Sequence, residues 1–295
     1  MVGTQWWAHN GRHRMMQRSL LRAGAVAATL LLLAFAGLAQ RGRFGGNAEE
    51  EDAPPHFDKD AEFHFLRVEY TDLPGFRNFG FRSVSRNGRA SGWWAQDWPD
   101  ADNHFTTGIQ RLTRINIGEP RHVGLTDAEL FEYPWIYVTQ AANWDLSDAE
   151  IKQLREYLLR GGFLVTDDFW GPAEWEYFQE TMQRVLPGHT IPDIEEKDSV
   201  MHVLYDIQEK DRTFIPGSRH LYRGAGGATV VRQPAGELPA WRAIYDDKNR
   251  VVVAVNFNTD VGDAWEFADV PYYPAEMTIL AYRYGINYII YSLTH

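Results

Sequence analysis

The chain has 295 residues, of which 44% are hydrophobic and 23% charged, and these globular proportions exclude wholesale disorder, a collagen repeat or a coiled coil as a description of the whole. A formal charge of −11 opposes binding to nucleic acid or to anionic lipid. The absence of cysteine removes thiol nucleophiles, disulfides, Cys-ligated zinc and iron–sulfur clusters together.

Residues 1–39 carry Arg12, Arg14, Arg18 and Arg22 and no acidic residue, followed by an uncharged run from Ala23 to Gln40. A basic start, an apolar centre at Leu30 to Phe35 and small residues at Gly37 and Ala39 predict a secretory signal cleaved after Ala39. The run also reaches the lower length limit of a spanning helix, so residues 1–40 read either as a signal peptide or as one N-terminal transmembrane anchor. Both place the rest of the chain in the periplasm or elsewhere outside the cytoplasm. Residues 41–60 hold the acidic run Glu49 to Asp52, then Pro54 and Pro55, with few large apolar side chains, the composition of a disordered linker. Residues 61–295 form the folded domain.

Phe63 to Tyr70 is rich in aromatic and β-favouring residues and predicts a first strand. Leu73 to Pro99 has many Gly, Arg and Trp without a period and predicts a long irregular loop. Asp102 is placed to cap a helix with Phe105, Ile109, Leu112 and Ile115 on one face. Trp135 to Thr139 predicts a short buried strand. Ser147 to Glu150 reads as a capping box that opens a helix with the stripe Ile151, Leu154 and Leu158, and Gly161 stands where a left-handed terminating residue is wanted. Phe163 to Asp167 follows as a strand, and Pro172 opens a helix with Trp175, Phe178, Met182 and Val185 inward. Trp241 to Tyr245 and Arg250 to Asn256 flank the turn Asp246 to Asn249 as an antiparallel hairpin, and the last helix runs from Pro274 to Tyr291. Strands alternating with helices predict an α/β three-layer sandwich with a mainly parallel central sheet, of the flavodoxin-like kind, plus a β-hairpin addition.

Ligands of open α/β sheets bind beyond the carboxyl ends of the strands, which singles out Asp167 and Asp168. Either could ligate a cation or act as a base; the competing role is to cap the next helix and bind loop amides. After the hairpin come Asn256, Asn258, Asp260, Asp263 and Glu266, oxygen ligands in a Gly-containing loop that suits Ca²⁺ or Mg²⁺ without the spacing of a calcium loop; the competing reading is a loop whose acids bond their own backbone. Asp260, Asp263 and Glu266 are the metal candidates, though no cofactor is required by the sequence. The histidines show neither HExxH nor HxH spacing; His202 is a catalytic candidate beside Asp167 and Asp168, and both it and His104 read equally as structural. GxSxG, GxxxxGK and GxGxxG are absent, so serine hydrolase and nucleotide-phosphate readings lack support. Trp93, Trp94 and Trp98 could stack on sugar rings or on a partner, or pack over the sheet. The set expected to line a ligand crevice is Trp94, Asp97, Asp167, Asp168, Asn256 and Asp260.

The segments YPWIYVT (133–139), SDAEIKQLREYLLRGGFLVTDDFWG (147–171), NFNTDVGDAWE (256–266) and GINYIIY (285–291) resemble a bacterial family designated domain of unknown function 4159 (DUF4159), whose fold is similar to class I glutamine amidotransferases. The resemblance implies that fold and a ligand crevice. In amidotransferases a cysteine activated by histidine sits on the sharp turn after a central strand; the strand ending at Asp167 is the analogous one, and without cysteine the glutaminase reaction does not carry over. The leading expectation is a non-catalytic ligand-binding or assembly domain exported or anchored at the membrane, meeting an unidentified envelope or membrane protein. The alternatives are an exported metal-assisted hydrolase using Asp167 or Asp168 with Asp260 or Asp263, which requires those two loops to meet, and a carbohydrate-binding module, which requires exposed Trp rings in a row.

Overall fold

A computed structural model describes residues 61–74 and 92–295. The predicted signal or anchor, the linker and most of the long Gly- and Arg-rich loop lie outside the described residues. Among those described, no helix is long and apolar enough to cross a membrane.

Six strands form one sheet in the order β2-β1-β3-β4-β8-β7: β1 (Leu66–Glu69), β2 (Arg121–Gly124), β3 (Trp135–Thr139), β4 (Phe163–Phe169), β7 (Ala240–Tyr245) and β8 (Val251–Phe257). All neighbouring pairs are parallel except β7 with β8. The predicted hairpin is thus present, and it closes one edge of the sheet. A second, two-stranded antiparallel piece, β5 (Leu221–Arg223) with β6 (Thr229–Val231), stands apart and has no counterpart in the sequence reading, because strands of three residues carry no usable period.

Every residue of β3, β4 and β8 is buried, as parallel strands covered on both faces must be. Side chains alternate between two cores. Ile136, Val138 and Leu164 face one core with Phe178 and Leu154, beneath α2 (Asp148–Leu159) and α3 (Gly171–Val185). Trp135, Tyr137 and Val165 face the other with Phe105, Trp265 and Tyr284, beneath α1 (Asp100–Leu112), α4 (Val261–Glu266) and α5 (Ala275–Thr294). The three-layer sandwich is therefore the observed architecture.

The capping box of α2 forms as its sequence requires: the Glu150 amide donates to Ser147 Oγ at 3.4 Å and the Ser147 amide to the Glu150 carboxylate at 2.8 Å. Gly161 ends the helix at φ 101°, a conformation that a side chain would oppose. The start of α1 differs from expectation. Asp102 lies inside the helix, which begins at Asp100 after Pro99 without a side-chain cap, because the Asp102 carboxylate is taken by the buried guanidinium of Arg67 on β1. The segment after β8 also differs: Asp260 accepts a hydrogen bond from the Asp263 amide at 2.7 Å and starts the short helix α4, where the sequence suggested only a loop.

Candidate functional site at the carboxyl edge of the sheet

Because β3, β4 and β8 are neighbours and run the same way, Thr139, Asp167 and Asn256 reach one edge of the sheet. The chain turns sharply there. Gln140 after β3, Asp168 in β4 and Asn258 after β8 all hold left-handed backbone, with φ of 53°, 53° and 55°. This conformation is uncommon outside glycine and best tolerated by Asn and Asp. At Asp168 the pairing of β4 with β8 shifts register between Thr166 and Phe169, so Asp167 and Asp168 no longer alternate across the sheet as strand residues would.

Asp167 is fully buried. Its Oδ2 accepts from the Tyr137 hydroxyl at 3.0 Å and from the amides of Val261 and Gly262 at 2.9 and 3.0 Å, which ties the β4 turn to the start of α4. Its Oδ1 has no hydrogen-bond partner. Asp168 accepts from Gln140 Nε2 and, at 2.6 Å, from Trp170 Nε1; Gln140 in turn accepts from Asn143 at 2.9 Å.

Asp97, Asp260 and Asp263 each present a carboxylate oxygen within 4.8 Å of the others. Asp260 and Asp263 are buried, and Asp97 is half-buried as a residue although its carboxyl group lies inside. Two contacts bring these distant segments together. Arg67 donates to the carbonyls of Trp94 at 3.1 Å and Gln96 at 2.8 Å, holding the turn that ends in Asp97, while Phe105 of α1 stacks on Trp265 of α4 with ring centroids 4.0 Å apart. Glycine supplies the room. A β-carbon on Gly217 would lie 2.6 Å from Asp260 Oδ2 and 3.3 Å from Asp263 Oδ2, and one on Gly262 would lie 3.1 Å from Asp97 Oδ2 and 3.4 Å from Asp260 Oδ1. The Ser218 amide also donates to Asp263.

Burial and mutual repulsion push these acids toward their neutral forms. Burial, then the charges of Asp263 and Asp168, hold the Asp97 carboxyl far above its ordinary range. Burial, then Asp168 and Asp263, do the same to Asp260. Asp167 is raised to about 8 by burial and by Asp168, and Glu266 to about 7 by burial and by Asp263. Asp168 is raised to about 7 by burial, although the Arg219 charge and the Trp170 and Gln140 hydrogen bonds oppose the shift. None of the ion pairs among the described residues involves Asp97, Asp167, Asp168, Asp260, Asp263 or Glu266.

The remaining candidates lie elsewhere or serve the fold. His202 bonds Asp206 and the Glu196 carbonyl, neither of which belongs to the acidic cluster. Asn256 accepts from the Tyr288 hydroxyl at 2.9 Å on the α5 face, and Asn258 joins the Gly171 amide to the Leu238 carbonyl at 2.9 and 2.8 Å. His104 contacts the carbonyls of Trp265 and Glu266. Trp94 is buried, and its ring lies 5.0 Å from that of His122. Trp93 and Trp98 pack against the same core. These indoles do not form the exposed row that sugar stacking requires, because they roof the sheet.

Sequence reasoning missed Arg67, Tyr137, Gln140 and the Gly217–Ser218 turn. Arg67 alone left a trace: an arginine inside the apolar run FHFLRVEY needs a buried partner.

Fold and site together define an α/β domain with a cluster of acidic side chains at the carboxyl edge of a mainly parallel sheet. The chain belongs to the family described as Domain of unknown function (DUF4159), whose model matches residues 81–293. No curated protein matches it.

Proposed function

We propose that this domain binds a divalent cation, Mg²⁺ or Ca²⁺, at Asp97, Asp260 and Asp263 and presents it to a ligand entering at the carboxyl edge of the sheet, in a protein exported or anchored through residues 1–40. One observation carries this reading: three carboxylates from two segments far apart in the chain converge within 4.8 Å with no basic side chain paired to them among the described residues. Carboxylates so placed must share protons or gain a cation, and hard divalent ions prefer such oxygen donors. The unpartnered Oδ1 of buried Asp167, on the carboxyl group held by the amides between Asp260 and Asp263, adds support, since buried oxygens are rarely left unused. The ligand is then a surface group of an envelope or membrane partner, or a small molecule.

Thermal unfolding in EDTA, then in Mg²⁺ or Ca²⁺, tests the reading. A bound ion present at about 100 times its Kd stabilises the fold by about 2.7 kcal/mol, so the midpoint is expected to rise, and Asp263→Asn to abolish the rise. A midpoint insensitive to both ions would assign the carboxylates to proton sharing within the fold.

The metal-assisted hydrolase is the second reading. It is favoured by the joining of the β4 turn to the start of α4 through Asp167, and an ion there would acidify a bound water. Binding is placed first because both oxygens of Asp168 are engaged by Gln140 and Trp170, which leaves that acid poorly placed as a base. Cation-dependent turnover of a simple ester or phosphate ester, lost in Asp263→Asn, would reverse that order. The absence of cysteine leaves a glutaminase without its nucleophile.

A further inference from the structure

The turn that covers the acidic cluster also carries a cation. Gly217 approaches Asp260 and Asp263, the Ser218 amide donates to Asp263, and the next residue, Arg219, is exposed. Its guanidinium lies 4.6 Å over the ring of Trp170, whose indole nitrogen bonds Asp168. Arg219 is in no ion pair among the described residues, and the only hydrogen bond found for it there uses Nε, toward His220 at 3.2 Å. The two terminal nitrogens of the fork, which match an oxyanion in a bidentate way, are left to a ligand. The contact with Trp170 restricts the side chain, so less rotamer freedom is lost when it binds.

We infer that the ligand of this acidic site is an oxyanion, a phosphoryl or carboxyl group with one oxygen on the cation held by Asp97, Asp260 and Asp263 and another on the guanidinium of Arg219. The inference rests on the cation site proposed above. The acidic surroundings support it: in a chain of net charge −11, an anion is repelled unless a cation and a guanidinium together reverse the local field. Arg219 alone faces Asp168, whose carboxyl it already pulls down, and is a weak anion site. Ion and arginine together make a strong one.

The test uses the full chain and three probes: Mg²⁺ alone, inorganic phosphate and acetate. Mg²⁺ alone is expected to raise the unfolding midpoint. Phosphate or acetate is expected to raise it further only when Mg²⁺ is present, and the stronger of the two identifies the phosphoryl or the carboxyl source. In Arg219→Gln the Mg²⁺ response persists, while anion affinity measured calorimetrically falls by about tenfold or more, the loss of charge-assisted hydrogen bonds. Arg219→Lys, which keeps the charge without the fork, recovers only part of it. A Mg²⁺ response with no anion response, or an anion response equal in Arg219→Gln or in metal-free protein, overturns the inference and leaves the cation site standing. No response to Mg²⁺ overturns both.

Discussion

At Gly217 the backbone is ordinary, φ −69° and ψ 160°, so any residue could adopt its conformation. What excludes a side chain is the 2.6 Å between a β-carbon and Asp260 Oδ2. Gly217→Ala therefore forces apart the turn and the acids beneath it. It is expected to cost about 1–3 kcal/mol, the usual range for overpacking, and to weaken the Mg²⁺ response, as denaturant unfolding with and without the ion would show. Three residues along, His220 is buried against Trp170 and Phe214, with ring centroids 4.6 and 5.4 Å away. Burial, then the Arg219 charge, lower its pKa from 6.5 to about 4. The unfolded chain thus takes up the proton first, and stability falls as pH drops from 6.5 toward 4, with no contribution from His220 above that window. His220→Asn is expected to flatten this part of the profile of unfolding free energy against pH; an unchanged slope would place the titration on other groups.

Between elements, the decisive contact is the Arg67–Asp102 pair. Both side chains have zero exposure, and Arg67 also reaches the turn that ends in Asp97. One residue of β1 thereby joins the sheet, the start of α1 and the loop that completes the acidic cluster. Asp102 lies in the first turn of its helix, where a carboxylate also suits the helix dipole. Arg67→Met leaves the buried Asp102 carboxyl without its partner, and is expected to lose about 3–5 kcal/mol. Arg67→Met with Asp102→Leu removes both charges and is expected to regain most of that stability without restoring the Mg²⁺ response, because the carbonyls of Trp94 and Gln96 lose their donor in both variants. Chemical denaturation and a Mg²⁺ titration of the two proteins separate the role of the pair in stability from its role in placing Asp97. Equal loss of stability in both variants would assign the damage to packing instead.

Across the whole molecule, what could be read in advance is what neighbours in the chain encode. Apolar spacing, the Ser147 to Glu150 box and Gly161 determined α2; the β-favouring residues of WIYVT and FLVTD determined a buried strand at β3 and a strand at β4; and the alternation of strands with helices determined a parallel sheet with its carboxyl ends on one edge, hence the position of Asp167 and Asp168. The acids after β8 were visible for the same reason. Which of these groups would meet was not visible. Helix α4 is six residues long, too short for a period to register, and it starts where the Asp260 side chain folds back on the Asp263 amide. Asp97 joins Asp260 and Asp263 only because β1 lies between β2 and β3, because Arg67 holds the turn beside it, and because Phe105 meets Trp265. Asp102 looked like a cap since its charged partner lies 35 positions earlier in the chain. Local propensity falls within a few residues of its source, whereas burial, charge pairing and the convergence of carboxylates depend on contacts between segments that only the folded sheet brings together.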